Sequence, residues 1–158
     1  VLEDYKGSKL YKFHQEFDRK RYLKDYDRRI DWESLPPCLR HILEFPCPAL
    51  LVPTNILLFC RTFLCLGWHP KHIAGLIHSY YQKDYGWMVD WNKYDSITRA
   101  DFWVRVYCGM IQMGVDDLAD FTCRHHQRKG FCPQPDCGHR LETLASRLKK
   151  KVDFSLKT

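Results

Sequence analysis

The sequence predicts a mainly α protein, one compact helical domain organised around a metal centre. Three observations carry this. Apolar residues recur at helical spacing along most of the chain, whereas strand signals are weak and short. Residues 54–66 are apolar nearly all round, the mark of a buried central helix. Between Phe121 and His139 lie three cysteines, three histidines, two prolines and two glycines, a loop that apolar burial cannot shape.

Taken in order, residues 8–30 read as one charged helix, with Leu10, Phe13 and Phe17 at helical spacing and Leu23, Tyr26 and Ile30 continuing the stripe. Residues 1–32 therefore form a charged N-terminal helical segment, whose cations mostly decorate a solvated face while a subset can meet phosphate. Pro36-Pro37 breaks the chain, and Pro37 suits the first turn of a short helix through Phe45, which Pro46 and Pro48 end. In the apolar helix Arg61 is the odd member. It either snorkels to the surface, the commoner behaviour, or points a cation at a ligand. Gly67 caps that helix. Pro70 opens the next, with Ile73, Leu76, Ile77 and Tyr80 on one face. Tyr85 to Tyr94 reads as an ordered aromatic loop able to stack on bases, although burial is the default for such rings. Thr98 caps a further helix with Asp101 in a box-like position; Phe102, Val106 and Met110 line its inner face and Gly114 ends it. A last short helix, 140–151, turns Leu141, Leu144 and Leu148 inward and Arg147, Lys149, Lys150 and Lys151 outward, so that 141–158 is a basic C-terminal helix and tail.

An aromatic content of 15% with 45% apolar residues suits a packed globule and argues against a disordered chain. No apolar run is long enough to span a membrane, and no signal peptide opens the chain, which begins at Val1 and is expected to be a piece of something longer. A formal charge of +6 is compatible with nucleic acid without requiring it. The eight cysteines invite a disulfide framework. Against that, Cys47, Cys60, Cys65 and Cys108 sit in apolar or aromatic text where free cysteine packs, and a core of this size needs no staples. The expected setting is an intracellular, reducing compartment, cytoplasm, nucleoid or nucleus.

Cys123, Cys132 and Cys137 are read as metal ligands, since thiolate is a soft ligand suited to zinc or iron–sulfur clusters. Two residues can supply a fourth. His139 would give a Cys3His zinc site, but gaps of eight and four residues fit the tight spacing of zinc modules only once. Cys38, presented at a helix start, would give four thiolates, which suit a [4Fe–4S] cluster. Adjacent His125 and His126 point in different directions and are taken as surface or phosphate-facing.

Leu35-Pro36-Pro37-Cys38, the apolar helix ending in Leu66-Gly67, and Phe121-Thr122-Cys123 with eight residues to Cys132 together resemble the iron–sulfur domain of the archaeal and eukaryotic DNA primase large subunit. The similarity covers about residues 33–140. The resemblance implies a single compact helical domain organised around a four-cysteine metal centre, with Cys38, Cys123, Cys132 and Cys137 holding a [4Fe–4S] cluster. It implies a non-catalytic role, holding template DNA and an RNA or DNA primer for a catalytic primase subunit or domain. The family's His-x-x-Arg element near the start of the apolar helix is replaced here by Val52-Pro53-Thr54-Asn55-Ile56. Arg40 and Arg61 are candidate substitutes, and Arg124, Arg128 and Lys129 beside the centre are candidate phosphate ligands. Two other readings remain: a zinc-stabilised module binding nucleic acid or protein, and an iron–sulfur nuclease. The nuclease is disfavoured because no strand-borne Asp with a Glu-x-Lys is present, and Asp116-Asp117 is the nearest acidic pair.

Overall fold

The computed structural model describes residues 2–44, 53–82 and 96–157, and every regular element among them is helical. In chain order these are α1 Leu2–Lys6, α2 Lys9–Arg19, α3 Tyr26–Arg29, α4 Pro37–Glu44, α5 Pro53–Cys65, α6 Pro70–Gln82, α7 Ser96–Gln112, α8 Cys123–Arg128 and α9 Leu141–Lys157. Tyr85 to Tyr94, Cys47, Pro46 and Pro48 lie outside the described residues.

The central position of α5 follows from its composition. Apolar on nearly every side, it can satisfy its surface only by being surrounded, and α6, α7 and α9 all pack against it. Phe59 and Phe63 stack at 5.8 Å between centroids, and Phe63 meets Trp68 edge-on at 4.8 Å. Gly67, at φ +89°, ends α5 in a Schellman turn: its N–H donates to Leu64 and that of Trp68 to Phe63. Pro70 opens α6 as expected, with Ile73, Leu76, Ile77 and Tyr80 buried. The core is continuous from Phe13 and Phe17 in α2 through α4, α5, α6 and α7 to Leu148 and Val152 in α9.

Four expectations change. The charged helix stops at Arg19, where Lys20 turns extended. Tyr26 and Ile30 reach the core through an elbow and the single turn of α3, not through a continued stripe. The Arg19-Lys20-Arg21 run has no apolar residue to hold a helix face down. The N–H of Leu23 instead donates to the Tyr26 hydroxyl at 2.8 Å. The second change concerns α7, whose inner face is Ala100, Val104, Cys108 and Ile111, while Phe102, Val106 and Met110 are exposed. Both sets share one helical period, so spacing cannot choose between them. The packing of α6 and α5 on α7 decides which set is buried. Third, α7 starts at Ser96, so Thr98 lies inside it, and Asp101 accepts from Lys71 and Tyr22 in place of a capping bond. Last, α9 runs to Lys157, adding Val152 to its buried face. Lys151 turns its ammonium to the Cys65 carbonyl at the C-terminus of α5, where a cation is favoured.

Candidate metal centre

The local sequence builds the loop from two caps. Thr122 is extended (φ −135°, ψ 152°) and its hydroxyl accepts from the His125 N–H at 3.1 Å, starting α8. The Cys123 N–H donates to Glu142 at 2.9 Å, which ties the start of α8 to the start of α9. Gly130, at φ +78°, reverses the chain toward Cys132, and Gly138, at φ +80°, reverses it again after Cys137.

Cys38 reaches the same place from α4. Cys38, Cys123, Cys132, Cys137 and His139 all line one small cavity of about 20 Å³, walled also by His126. Backbone donors already address two of the sulfurs: the Leu141 N–H points to Cys123 Sγ at 3.2 Å and the His139 N–H to Cys137 Sγ at 3.4 Å. Burial pushes the Cys38 thiol up to about 12; the Leu39 backbone N–H pulls it down, and Cys132 and Cys123 push it up. The Cys123 thiol is raised as well, first by burial, against a hydrogen bond from the Leu141 backbone. Lining a common cavity is a looser relation than coordination. Among the described residues, no group of three or more His, Cys, Asp or Glu side chains is placed to hold a metal ion. By chemistry, though not by placement, the donor set suits a soft metal or cluster: four cysteines line one space, and N–H groups are directed at two of their sulfurs.

The other cysteines differ. Cys60, Cys65 and Cys108 are fully buried and unbridged inside the helix packing. The adjacent histidines also separate. His125 stays partly exposed, near Asp120 at 3.8 Å, whereas His126 is buried. The expected surface position therefore holds for His125 and not for His126. Burial lowers the His126 pKa, against the Phe131 backbone, and its Nε2 has no partner among the described residues. It also walls a second pocket, of about 40 Å³, at the start of α5 with Thr54, Asn55, His125 and Lys129. No spacing rule marks His126, since only the turn of α8 decides which of two adjacent rings faces inward.

The candidate phosphate ligands fall into two groups. Arg124, Arg128 and Lys129 are exposed on and just after α8. Arg61 neither snorkels nor faces outward. It is 6% exposed, and its guanidinium donates to Asp116 at 2.8 and 2.9 Å and pairs with Asp120 at 2.7 Å. Arg40 is half-buried and gives its Nη2 to the Trp32 carbonyl. Both arginines thus have internal uses. Asp116 belongs to the Arg61 pair and its Oδ1 also accepts the Leu118 N–H at 2.9 Å, while Asp117 accepts the Ala119 N–H at 2.9 Å, so both members of the acidic pair singled out in the sequence are engaged by the structure. No helix among the described residues is long and apolar enough to cross a membrane. No protein-family model, curated protein or solved structure matches the chain.

Proposed function

We propose that this chain is a non-catalytic, metal-centred domain that holds nucleic acid for primer synthesis, as the primase large-subunit domain it resembles does. In this reading Cys38, Cys123, Cys132 and Cys137 hold a [4Fe–4S] cluster. The observation that carries it is the meeting of Cys38, from α4, with the distant C-terminal trio around one cavity. When bound, the cluster supplies a cross-link between α4 and the α8–α9 loop, with the Leu141 and His139 N–H groups supporting the thiolates.

The rest of the role belongs to positioning. Arg124, Arg128 and Lys129 stand exposed beside the cysteines and would engage phosphate. The pocket at the start of α5 adds Thr54, Asn55 and His125 next to Lys129. Phosphoryl transfer needs a carboxylate pair free to bind metal, and Arg61 occupies Asp116 and Asp120. The chemistry is therefore assigned to a catalytic primase subunit or domain.

Anaerobic purification followed by iron, sulfide and zinc quantification tests the centre. Iron and sulfide in equal amounts with broad visible absorption are expected, abolished in Cys38→Ser and kept in Cys60→Ser. Iron retained in Cys38→Ser overturns the ligand set. For the face, Arg128→Glu with Lys129→Glu should weaken DNA binding and flatten its salt dependence. A second reading has its own support: His139 lines the same cavity, whose size suits one small body. Zinc in a Cys3His site would leave the protein colourless and make Cys38→Ser metal-replete.

A further inference from the structure

The elbow between α2 and α3 has no part in the centre described above. Residues 19–29 read Arg-Lys-Arg-Tyr-Leu-Lys-Asp-Tyr-Asp-Arg-Arg, six cations against two carboxylates. All six cations are exposed, and none is ion-paired among the described residues. Of the carboxylates, Asp27 accepts the Tyr80 hydroxyl at 2.6 Å and is partly spent on the fold.

This is a built surface and not a loose charge run. Tyr26 is buried against α6, and it fits because residue 75 is glycine; a Cβ there would collide with the Tyr26 hydroxyl. The Tyr22 ring is fixed at its hydroxyl, which donates to Asp101, and on its face, where the Lys71 ammonium lies 4.8 Å from the centroid. Lys71 is itself buried and bonded to Asp101 at 2.9 Å, so the platform has a rigid support. Tyr22 remains 37% exposed, with the His78 ring 6.3 Å away. Tyr22, Lys24, Tyr26 and His78 line a groove of about 540 Å³ together with Asp25 and Asp27, and Lys20 and Arg21 precede its lining in the chain.

We infer that this elbow is a separate binding surface for single-stranded nucleic acid, with phosphates on Lys20, Arg21 and Lys24 and a base against Tyr22 beside His78. Unpaired cations beside a groove and an immobilised aromatic ring in it are the two elements that single-strand binding combines. An acidic peptide would use the cations and leave the ring idle. An anionic membrane surface would call for exposed apolar residues among the cations, and the elbow offers only Tyr22. The inference does not depend on the identity of the metal centre.

Fluorescence anisotropy of a labelled oligothymidylate with the full chain, across a salt series, tests it. The triple variant Lys20→Glu, Arg21→Glu, Lys24→Glu should bind at least about tenfold more weakly, with the salt slope reduced by roughly 0.7 for each phosphate no longer neutralised. Tyr22→Leu should weaken binding about tenfold with the slope unchanged, and Tyr22→Phe, which keeps the ring but not its bond to Asp101, should weaken it less. Circular dichroism checks that each variant folds. If Tyr22→Leu does not, photocrosslinking of a bromodeoxyuridine strand to the parent replaces it and should label Tyr22. Unchanged affinity and slope in the triple variant overturn the inference. So does polyglutamate, or an anionic vesicle, competing as well as the oligonucleotide at equal charge. Binding abolished only in Arg128→Glu, Lys129→Glu defeats the elbow and leaves the proposed function standing. Weakened binding in the elbow variant of an iron-free protein does the reverse.

Discussion

The helix α5 and the segment from Cys123 to His139 solve the same problem by different physics. Ten of the thirteen residues of α5 are buried, and apolar packing holds them. Of the six residues of α8 only His126 is buried, and from Lys129 to Arg140 none is. That segment keeps its course through one N-cap, one carboxylate bond and two positive-φ glycines, and its three cysteines line a cavity with Cys38. In the proposed reading, the difference teaches where a bound metal would have the most to stabilise. Burial fixes α5 for as long as the core itself stays folded, whereas the cysteine segment has too little buried area to fix itself. Arg61 joins the two, reaching from the core helix to Asp116 and Asp120 on the connection that leads to α8.

The largest expected effect tests the packed side. Phe63→Ala removes a fully buried ring from the Phe59–Trp68 stack and should cost about 3–5 kcal/mol in global unfolding, whatever the metal content. Denaturant titration of metal-loaded and stripped protein measures both. Arg61→Ala cuts the joint and leaves the Asp116 side chain, 10% exposed, without its cation, so a destabilisation of about 3 kcal/mol or more is expected. The effect should extend to the α8 region, read as faster hydrogen exchange there.

Chelation attacks the other side alone. Stripping metal from the loaded protein should expose residues 123–140 to exchange and proteolysis while the amides of α5, α6 and α7 stay protected. Equal deprotection in both regions would erase the contrast. The joint also has a pH signature. Burial raises the Asp120 pKa, but the hydrogen bond and charge of Arg61 outweigh it and hold the carboxyl below its usual range. Its contribution is fully present above the ordinary carboxylate pKa of about 4 and disappears as pH falls through the lowered folded value, because the unfolded chain binds the proton first. Between neutral pH and about pH 3 the parent should therefore lose more stability than Asp120→Asn, which has no carboxyl to titrate there. Denaturant midpoints across that range measure it, and parallel curves for the two proteins would show that the pairing contributes nothing. The smallest effect belongs to the cap. Thr122→Ala should cost about 1 kcal/mol, confined to α8 and read by local exchange.

Much of the fold was legible in particular residues. The all-round apolar text of 54–66 has one physical use, and Pro37, Gly67, Pro70 and Gly114 punctuate by backbone geometry that no context changes. The same is true of Leu141, Leu144 and Leu148, where over residues 141–151 a single apolar stripe faces a polar opposite side. Legibility failed on α7, because two stripes of equal period compete and only the packing of the other helices on it decides which is buried. It failed for residues 20–30, where the apolar spacing continued but the chain bent to place Tyr26 over Gly75.

For the candidate site, residue chemistry alone singled out the cysteines: soft donors in a proline- and glycine-rich loop are visible in one dimension. What only the tertiary structure decided is which remote groups share a space. It set Cys38 beside the C-terminal trio, turned His126 inward and His125 outward, and committed Arg61 to two carboxylates. Local sequence fixes backbone preference and side-chain chemistry, whereas proximity between distant residues is set by the packing of whole helices, which no single segment encodes.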